Sequence, residues 1–360
     1  MWKTEITDLL KIDYPIIQAP MAGGITTPEL VAAVSNAGGL GMIGAGYLSS
    51  VQIRDQIREV KQRTKHPFGI NLFVPALYQE TDEKVNKARA ALLPLQEELG
   101  LKTHSTELPR AADDLKTFIE QINVVLEEKV PICSFTFGIP GKNVVEQLRN
   151  HHIKVLGTAT TVEEAKLIEA AEMDAIVAQG SEAGGHRGTF ADRFESSLVG
   201  TMSLVPQVVD SVKIPVIAAG GIMDGRGMNA ARCLGASAVQ LGTAFLTCHE
   251  SGAHEIYKNK IFEAAENDTV LTRSFSGKMA RGIENRFIRE MKPVENDLPV
   301  YPIQNELTRE LRKYASSQNT PDYMSLWCGQ SPRLAKKISV TQLMERIISQ
   351  AEKLGFPPSW

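Results

Sequence analysis

Short apolar runs rich in β-branched residues and bounded by Gly or Pro recur along the chain. They begin at Pro15 (PIIQAPM), Leu40 (LGMIGAG), Phe68 (FGINLFVP), Pro131 (PICSFTFG), Lys154 (KVLGTAT), Ala175 (AIVAQG), Pro215 (PVIAAGGI) and Ala238 (AVQLGTAFL). Near-continuous apolar character is the pattern of parallel strands covered on both faces. Between them lie amphipathic stretches such as Pro28 to Asn36, Val51 to Arg63, Val162 to Ala171 and Gly225 to Leu234, long enough for right-handed crossovers. Eight strands in strict alternation with helices predict an α/β fold, a closed (β/α)8 TIM barrel rather than an open sheet.

Two connections are longer than the rest. The charged stretch from Ala76 to about Ala112 predicts a helical insertion on the surface after the third strand, and Ser181 to Val199, after the sixth, carries glycines and His186. From about Glu266 the alternation stops, and polar sequence with helical runs at Gln304 to Ser316 and Gln342 to Lys353 predicts a helical C-terminal appendage. The expected division is a barrel over residues 1–265 and an appendage over 266–360 that covers or flanks the mouth.

Charge changes the picture little. With 39 basic and 42 acidic residues and a net charge of −3, the chain has no field that would gather nucleic acid or an anionic membrane surface. A small-molecule substrate and a monomer or homodimer are expected. Cys133, Cys233, Cys248 and Cys328 are scattered without metal or disulfide spacing and read as reduced thiols, core-filling or inert. The start, Met1 to Glu5, places a carboxylate where a signal peptide needs an apolar run, and no run of about 18 apolar residues occurs. A cytoplasmic protein with no membrane span is the expectation.

The seventh and eighth strands end in Ala219-Gly220-Gly221 and Gln240-Leu241-Gly242-Thr243, where barrels commonly hold a phosphate. Glycine lets backbone N–H groups approach an anion, and a helix N-terminus near Asp224 to Gly227 would add a favourable dipole. Glycines used only for tight turns would need no ligand, but both loops carry them at matching places. Gln18, Asn71 and Gln179 end the first, third and sixth strands. Three side-chain amides can bond the alternating N–H and C=O edge of a flavin ring without placing a charge there, although each alone could equally satisfy a loop backbone. No Lys stands at a strand's C-terminal end for a Schiff base and no Asp, Glu and His group there could hold a metal, so no metal site is expected and the reactive chemistry falls to a cofactor.

His186, in Glu182-Ala183-Gly184-Gly185-His186-Arg187-Gly188, sits just beyond the sixth strand, where an imidazole can exchange a proton with a bound substrate. Glu182 and Arg187 could orient it or form a surface ion pair. His66, His104, His151, His152, His249 and His254 lie in connections or at helix ends and read as structural. Gly39 to Gly44 matches the dinucleotide fingerprint but falls within a strand, and the looser match at Gly225 to Ala230 lacks the later acidic residue. Neither argues for a Rossmann unit.

With these residues in hand, the chain resembles the nitronate monooxygenases, formerly called 2-nitropropane dioxygenases. QAPMAGG from Gln18, GINLFVP from Gly69, QGSEAGGHRG from Gln179, and GGIMDGRG with LGASAVQLGTAFL from Gly220 onward carry the match; GKMARGIENRF and DYMSLWCGQ extend it into the appendage. The resemblance implies an FMN enzyme that oxidises alkyl nitronates, such as propionate 3-nitronate, with O2 to a carbonyl compound and nitrite, detoxifying nitro compounds. It implies that Gly220, Gly221 and the run Gln240, Leu241, Gly242 and Thr243 hold the FMN phosphate. Asn71, Gln179 and Gly184 would line the rest, Met21 would lie against the flavin ring, and His186 would be the active-site histidine. The rival reading is an NAD(P)H-dependent FMN reductase of the enoyl-acyl-carrier-protein or quinone reductase type, which shares the glycine loops. A barrel acting on a phosphorylated sugar would need a Lys or carboxylate pair at the strand ends. Tyr301, Tyr314 and Arg286 are candidates for a lid but could as easily be packing residues.

Overall fold

The computed structural model describes residues 2–101, 107–191 and 193–355. All eight expected strands form: β1 (Ile16–Gln18), β2 (Gly41–Gly44), β3 (Phe68–Phe73), β4 (Ile132–Thr136), β5 (Lys154–Ala159), β6 (Ala175–Gln179), β8 (Val216–Ala219) and β9 (Ala238–Leu241), with a two-residue β7 (Gly185–His186) between β6 and β8. The eight pair in parallel in the order β1-β9-β8-β6-β5-β4-β3-β2, and the ring closes where Ile17 bridges Leu40. β1 is only three residues long, so this seam has few ladder bonds. Gln18 supplies two more: its Nε2 donates to the Met42 carbonyl at 3.2 Å and its Oε1 accepts from the Met42 amide at 2.9 Å. Fully buried in the seam, Gln18 cannot serve the flavin-edge role expected of it.

Side chains alternate across each strand, which sorts the core in two. Inward-facing Ile17, Met42, Ile132, Leu156, Val177, Ile217 and Ala238 form one buried cluster with Ile6, Leu10 and Ile12. The helix Glu5–Leu10, capped reciprocally by Thr4 and Thr7, therefore plugs the lower end of the barrel. Outward-facing Ile16, Ile43, Ile70, Cys133, Val155, Ile176, Ala218 and Val239 pack in the larger cluster beneath the helices. The Gly39 to Gly44 motif serves close packing: a Cβ on Gly41 would lie 2.0 Å from the Val31 carbonyl oxygen, and one on Gly44 2.5 Å from the Met21 carbonyl carbon.

Between β3 and β4 the chain adds the helix Asp82–Glu98 before the crossover helix Ala111–Glu127. His104 lies outside the described residues. Beyond residue 266 the structure adds, ahead of the helices, a β-ribbon that the helical reading does not contain. β10 (Thr269–Thr272) and β11 (Ala280–Ile283) pair antiparallel, and β7 joins as a third strand with His186 opposite Ala280. Thr269–Thr272 and Ala280–Ile283 carry neither strict alternation nor a continuous apolar run, so no strand period is legible there. The run expected at Gln304 to Ser316 divides into helices Ile303–Leu307 and Arg309–Ser317, and the last helix spans Val340–Lys353. No helix among the described residues is long and apolar enough to cross a membrane.

Candidate active site

The C-terminal ends of the strands open into a cavity of about 480 Å³, a size suited to a cofactor with a small ligand. Met21, Asn71, Gln179, Gly184, His186, Gly220, Gly221, Gln240, Gly242 and Thr243 all line it. Leu241 does not. Strand alternation turns Gln240 toward the barrel axis and its neighbour Leu241 outward into the core, so only its backbone could serve a ligand.

At β8 and β9 the backbone does the work. Gly220 and Gly221 adopt left-handed φ of 115° and 73°, open to glycine without strain. Among the described residues, the amides of Gly221, Gly242 and Thr243 donate to no protein acceptor. The expected contribution of the helix Gly225–Cys233 is absent, because its N-terminus is already filled. Asp224 accepts from the amides of Arg226 at 3.0 Å and Gly227 at 3.4 Å, and Gln350 accepts from that of Gly225 at 3.2 Å. An anion at this end of the cavity would therefore meet the strand-end amides.

The two remaining amides differ. Gln179 is committed to the loop: its Nε2 donates to the His186 carbonyl at 3.1 Å, and its Oε1 accepts from the Gly188 amide at 2.8 Å and from Arg187 at 3.2 Å. Asn71 donates to the hydroxyls of Ser134 at 2.9 Å and Thr136 at 3.1 Å. Those bonds fix its plane in the cavity wall.

His186 is held by residues that the sequence reading did not single out. Its Nε2 lies 2.7 Å from the Ser276 hydroxyl, which donates to the Lys278 carbonyl at 3.0 Å. With the hydroxyl proton so directed, the bond network assigns the ring proton to Nε2 and the lone pair to Nδ1. Phe137, Tyr301 and Trp327 surround the ring at centroid distances of 5.9, 6.1 and 5.4 Å. Burial, reinforced by the positive charges of Lys278 and Arg312, lowers the imidazole pKa to about 3. The ring is thus neutral at any working pH. Lys278, over the face of Phe137 at 4.8 Å and donating to the Thr189 carbonyl at 3.0 Å, is itself lowered by burial to about 8.

Neither neighbour of His186 in the motif orients it. Arg187 is buried and spends its guanidinium on the carbonyls of Gly180 at 2.6 Å and Ser197 at 2.8 Å, while Glu182 accepts from the amide and hydroxyl of Thr201, both at 2.9 Å. They brace the loop from below, with no surface ion pair. Glu164, fully buried, anchors its far side by accepting from Thr160, Phe190 and Ala191. His254 lines the cavity although it read as structural, and its Nδ1 also caps the helix Glu255–Glu263. Of the lid candidates, Tyr301 packs beside His186, whereas Arg286 pairs with Glu98 and Glu290; none of Tyr301, Tyr314 and Arg286 lines the cavity. Ser276, Lys278, Trp327 and Arg312 come from the segment where the alternation stops. No spacing in that segment ties them to the barrel mouth.

Among the described residues no group of three or more His, Cys, Asp or Glu could hold a metal ion. The family model for nitronate monooxygenase matches residues 3–350. Relatives named probable nitronate monooxygenase include one from Staphylococcus haemolyticus, 49% identical with 98% of this chain and 99% of that protein covered. Another, from Staphylococcus aureus, is 50% identical over the same shares. Among solved structures, nitroalkane oxidase from Streptomyces ansochromogenes superposes with a TM-score of 0.89 at 39% identity, covering 97% of this chain and 98% of that one. FabK from Thermotoga maritima gives 0.78 at 35% identity over 99% and 98%. A barrel whose sixth strand leads to a half-buried, neutral histidine at the cavity, matched over residues 3–350, places this chain among the enzymes of the nitronate monooxygenase family.

Proposed function

We propose that the enzyme oxidises small alkyl nitronates with O2, using FMN, to a carbonyl compound and nitrite. The observation that carries the reading is the neutral His186 held by Ser276 on the cavity wall, within the field of Lys278 and Arg312. FMN fits the residues present. The amides of Gly221, Gly242 and Thr243 would take its phosphate, Asn71 and Gln179 would border the ring system, and Met21 would lie against it. When bound, the flavin supplies the electron transfer to oxygen.

The protein's own part is binding and proton handling. A nitronate is already an anion, so His186 and the positive charges behind it would stabilise the nitro group rather than remove a proton. With a neutral nitroalkane the free Nδ1 would act as the base. Phe73, Phe137 and Trp327 add apolar surface to the wall.

The test is anaerobic. The flavin spectrum of the purified enzyme is recorded after mixing with propionate 3-nitronate and, separately, with NADPH. A rapid change with the nitronate alone supports the proposal; bleaching by NADPH alone makes it an NAD(P)H-dependent reductase, the kind of enzyme that shares the glycine loops. As a second arm, His186→Asn keeps its flavin while turnover of a neutral nitroalkane falls by roughly 10²–10⁴. Full activity in that variant removes His186 from proton transfer.

A further inference from the structure

Outside the cavity wall, two opposite charges face each other across the His186 loop with no direct ion pair among the described residues. Glu164, in the first turn of the helix Val162–Ala170, has no exposed surface and does not line the cavity. Its carboxylate meets donors only. Oε2 accepts from the amide and the hydroxyl of Thr160, both at 2.7 Å, and Oε1 from the amides of Phe190 at 2.5 Å and Ala191 at 3.0 Å. Donors on every side are the pattern of an ionised group. None of these donors is charged, and a carboxylate withdrawn from water without a cation nearby is costly.

The cation stands at the turn of the C-terminal ribbon. Lys278, half-buried and also off the cavity wall, donates to the Thr189 carbonyl at 3.0 Å. The Thr189 hydroxyl lies 2.9 Å from that of Thr160. Because the Thr160 proton goes to Glu164, Thr189 is the donor between the two hydroxyls. A chain of contacts therefore runs from Lys278 through Thr189 and Thr160 to Glu164, from the ribbon to the tip of β5. The other charged groups round this loop are engaged elsewhere: Arg187 on the carbonyls of Gly180 and Ser197, Arg281 on that of Ser181, Glu182 on Thr201, and Arg312 on Asn305 and Thr308. His186 is neutral. Glu164 is the carboxylate whose charge acts on Lys278, against the burial that lowers it to about 8.

We propose that Glu164 is a positioning residue: it is the counter-charge of the Lys278 ammonium and, through Thr160 and Thr189, fixes that ammonium behind His186. The barrel thereby sets the charge that an anionic substrate meets from a place no substrate touches. The consequence for substrate rests on the nitronate reading above; the pairing of the two charges does not.

The test follows KM for propyl 1-nitronate against pH in the unaltered holoenzyme, Glu164→Gln, Lys278→Met and the double variant. A nearby opposite charge favours the charged form of a lysine, so removing it lowers the lysine pKa. Glu164→Gln should therefore move the rise in KM from about pH 8 to about one unit lower and leave KM unchanged at still lower pH. Added to Lys278→Met, it alters the profile no further. A bond lost from the loop alone would change KM or kcat at every pH and leave the inflection in place, and that result overturns the proposal. Unfolding midpoints of the same proteins at neutral pH give a second reading that needs no substrate. Lys278→Met lowers the midpoint less in Glu164→Gln than in the unaltered chain. Equal lowering in both overturns the pairing, even where Glu164→Gln holds too little flavin to assay. If the unaltered enzyme turns over no nitronate, the functional reading fails while the unfolding comparison still decides the pairing.

Discussion

At the scale of single residues the site is governed by two groups whose charge states burial has shifted. His186, lowered to about 3, stays neutral, so activity should show no inflection near the ordinary histidine range. Lys278, lowered to about 8, is the group whose charge changes within reach of assay. As pH rises through 8 it loses its proton, the positive field behind His186 weakens, and KM for an anionic nitronate should rise; Lys278→Met should abolish that inflection. Between pH 8 and the usual lysine value the unfolded chain holds a proton that the folded one has released, so this group makes the fold more stable as pH rises there. A rise in KM in that window is therefore not unfolding caused by Lys278. An unchanged profile in Lys278→Met would remove the lysine from substrate binding. Sequence reading reached His186 through its place after a strand, but not Lys278 or Ser276. Their approach depends on the antiparallel pairing of β11 with β7, and that contact spans nearly a hundred residues of chain.

At the scale of elements, helix ends and strand ends divide the labour differently from the expectation. The helix Gly225–Cys233 has its own carboxylate cap, so Asp224→Ala should cost about 1 kcal/mol of stability in denaturant unfolding while flavin content per chain stays the same. Gly221→Val should act chiefly on flavin content, with some cost in stability from backbone strain as well. Its φ of 73° is strained for any side chain, and the added atoms would enter the loop whose amide faces the cavity, so flavin content should fall sharply. Loss of flavin in the Asp224 variant with stability unchanged would return the phosphate to the helix terminus. The eight barrel strands were legible because they are short, largely apolar runs, most of them flanked by Gly or Pro, a signal that survives in single segments. The seam was not: Gln18 reads like a ligand amide, and only a closed ring, with β1 too short to bond β2 fully, shows why the carboxamide is spent on Met42.

For the whole molecule, the consequence is that the cavity has two halves drawn from distant parts of the chain. The barrel supplies the floor and the segment beyond residue 266 supplies the roof. They meet on the loops that would hold the flavin phosphate: the Gly329 amide donates to the Thr243 hydroxyl at 3.1 Å, the Ser331 hydroxyl to the Gly221 carbonyl at 3.1 Å, and the Gln330 amide to the Glu182 carbonyl at 3.0 Å. Gly184 lets the strap pass, since a Cβ there would come within 2.6 Å of the Cys328 carbonyl carbon. A flavin seated under this strap would be a ligand of both halves, and a ligand bound only by the folded state adds about 2.7 kcal/mol at 100 times its Kd. Stripping the flavin should therefore lower the unfolding temperature. Amide exchange should quicken first over residues 325–335 and 181–188, while β4 and β5, which carry none of the residues placed at the flavin, keep their protection. Uniform quickening across the barrel would mean that the strap is held by its own contacts alone, and that the two halves fold and loosen as one body whether or not the cofactor is present.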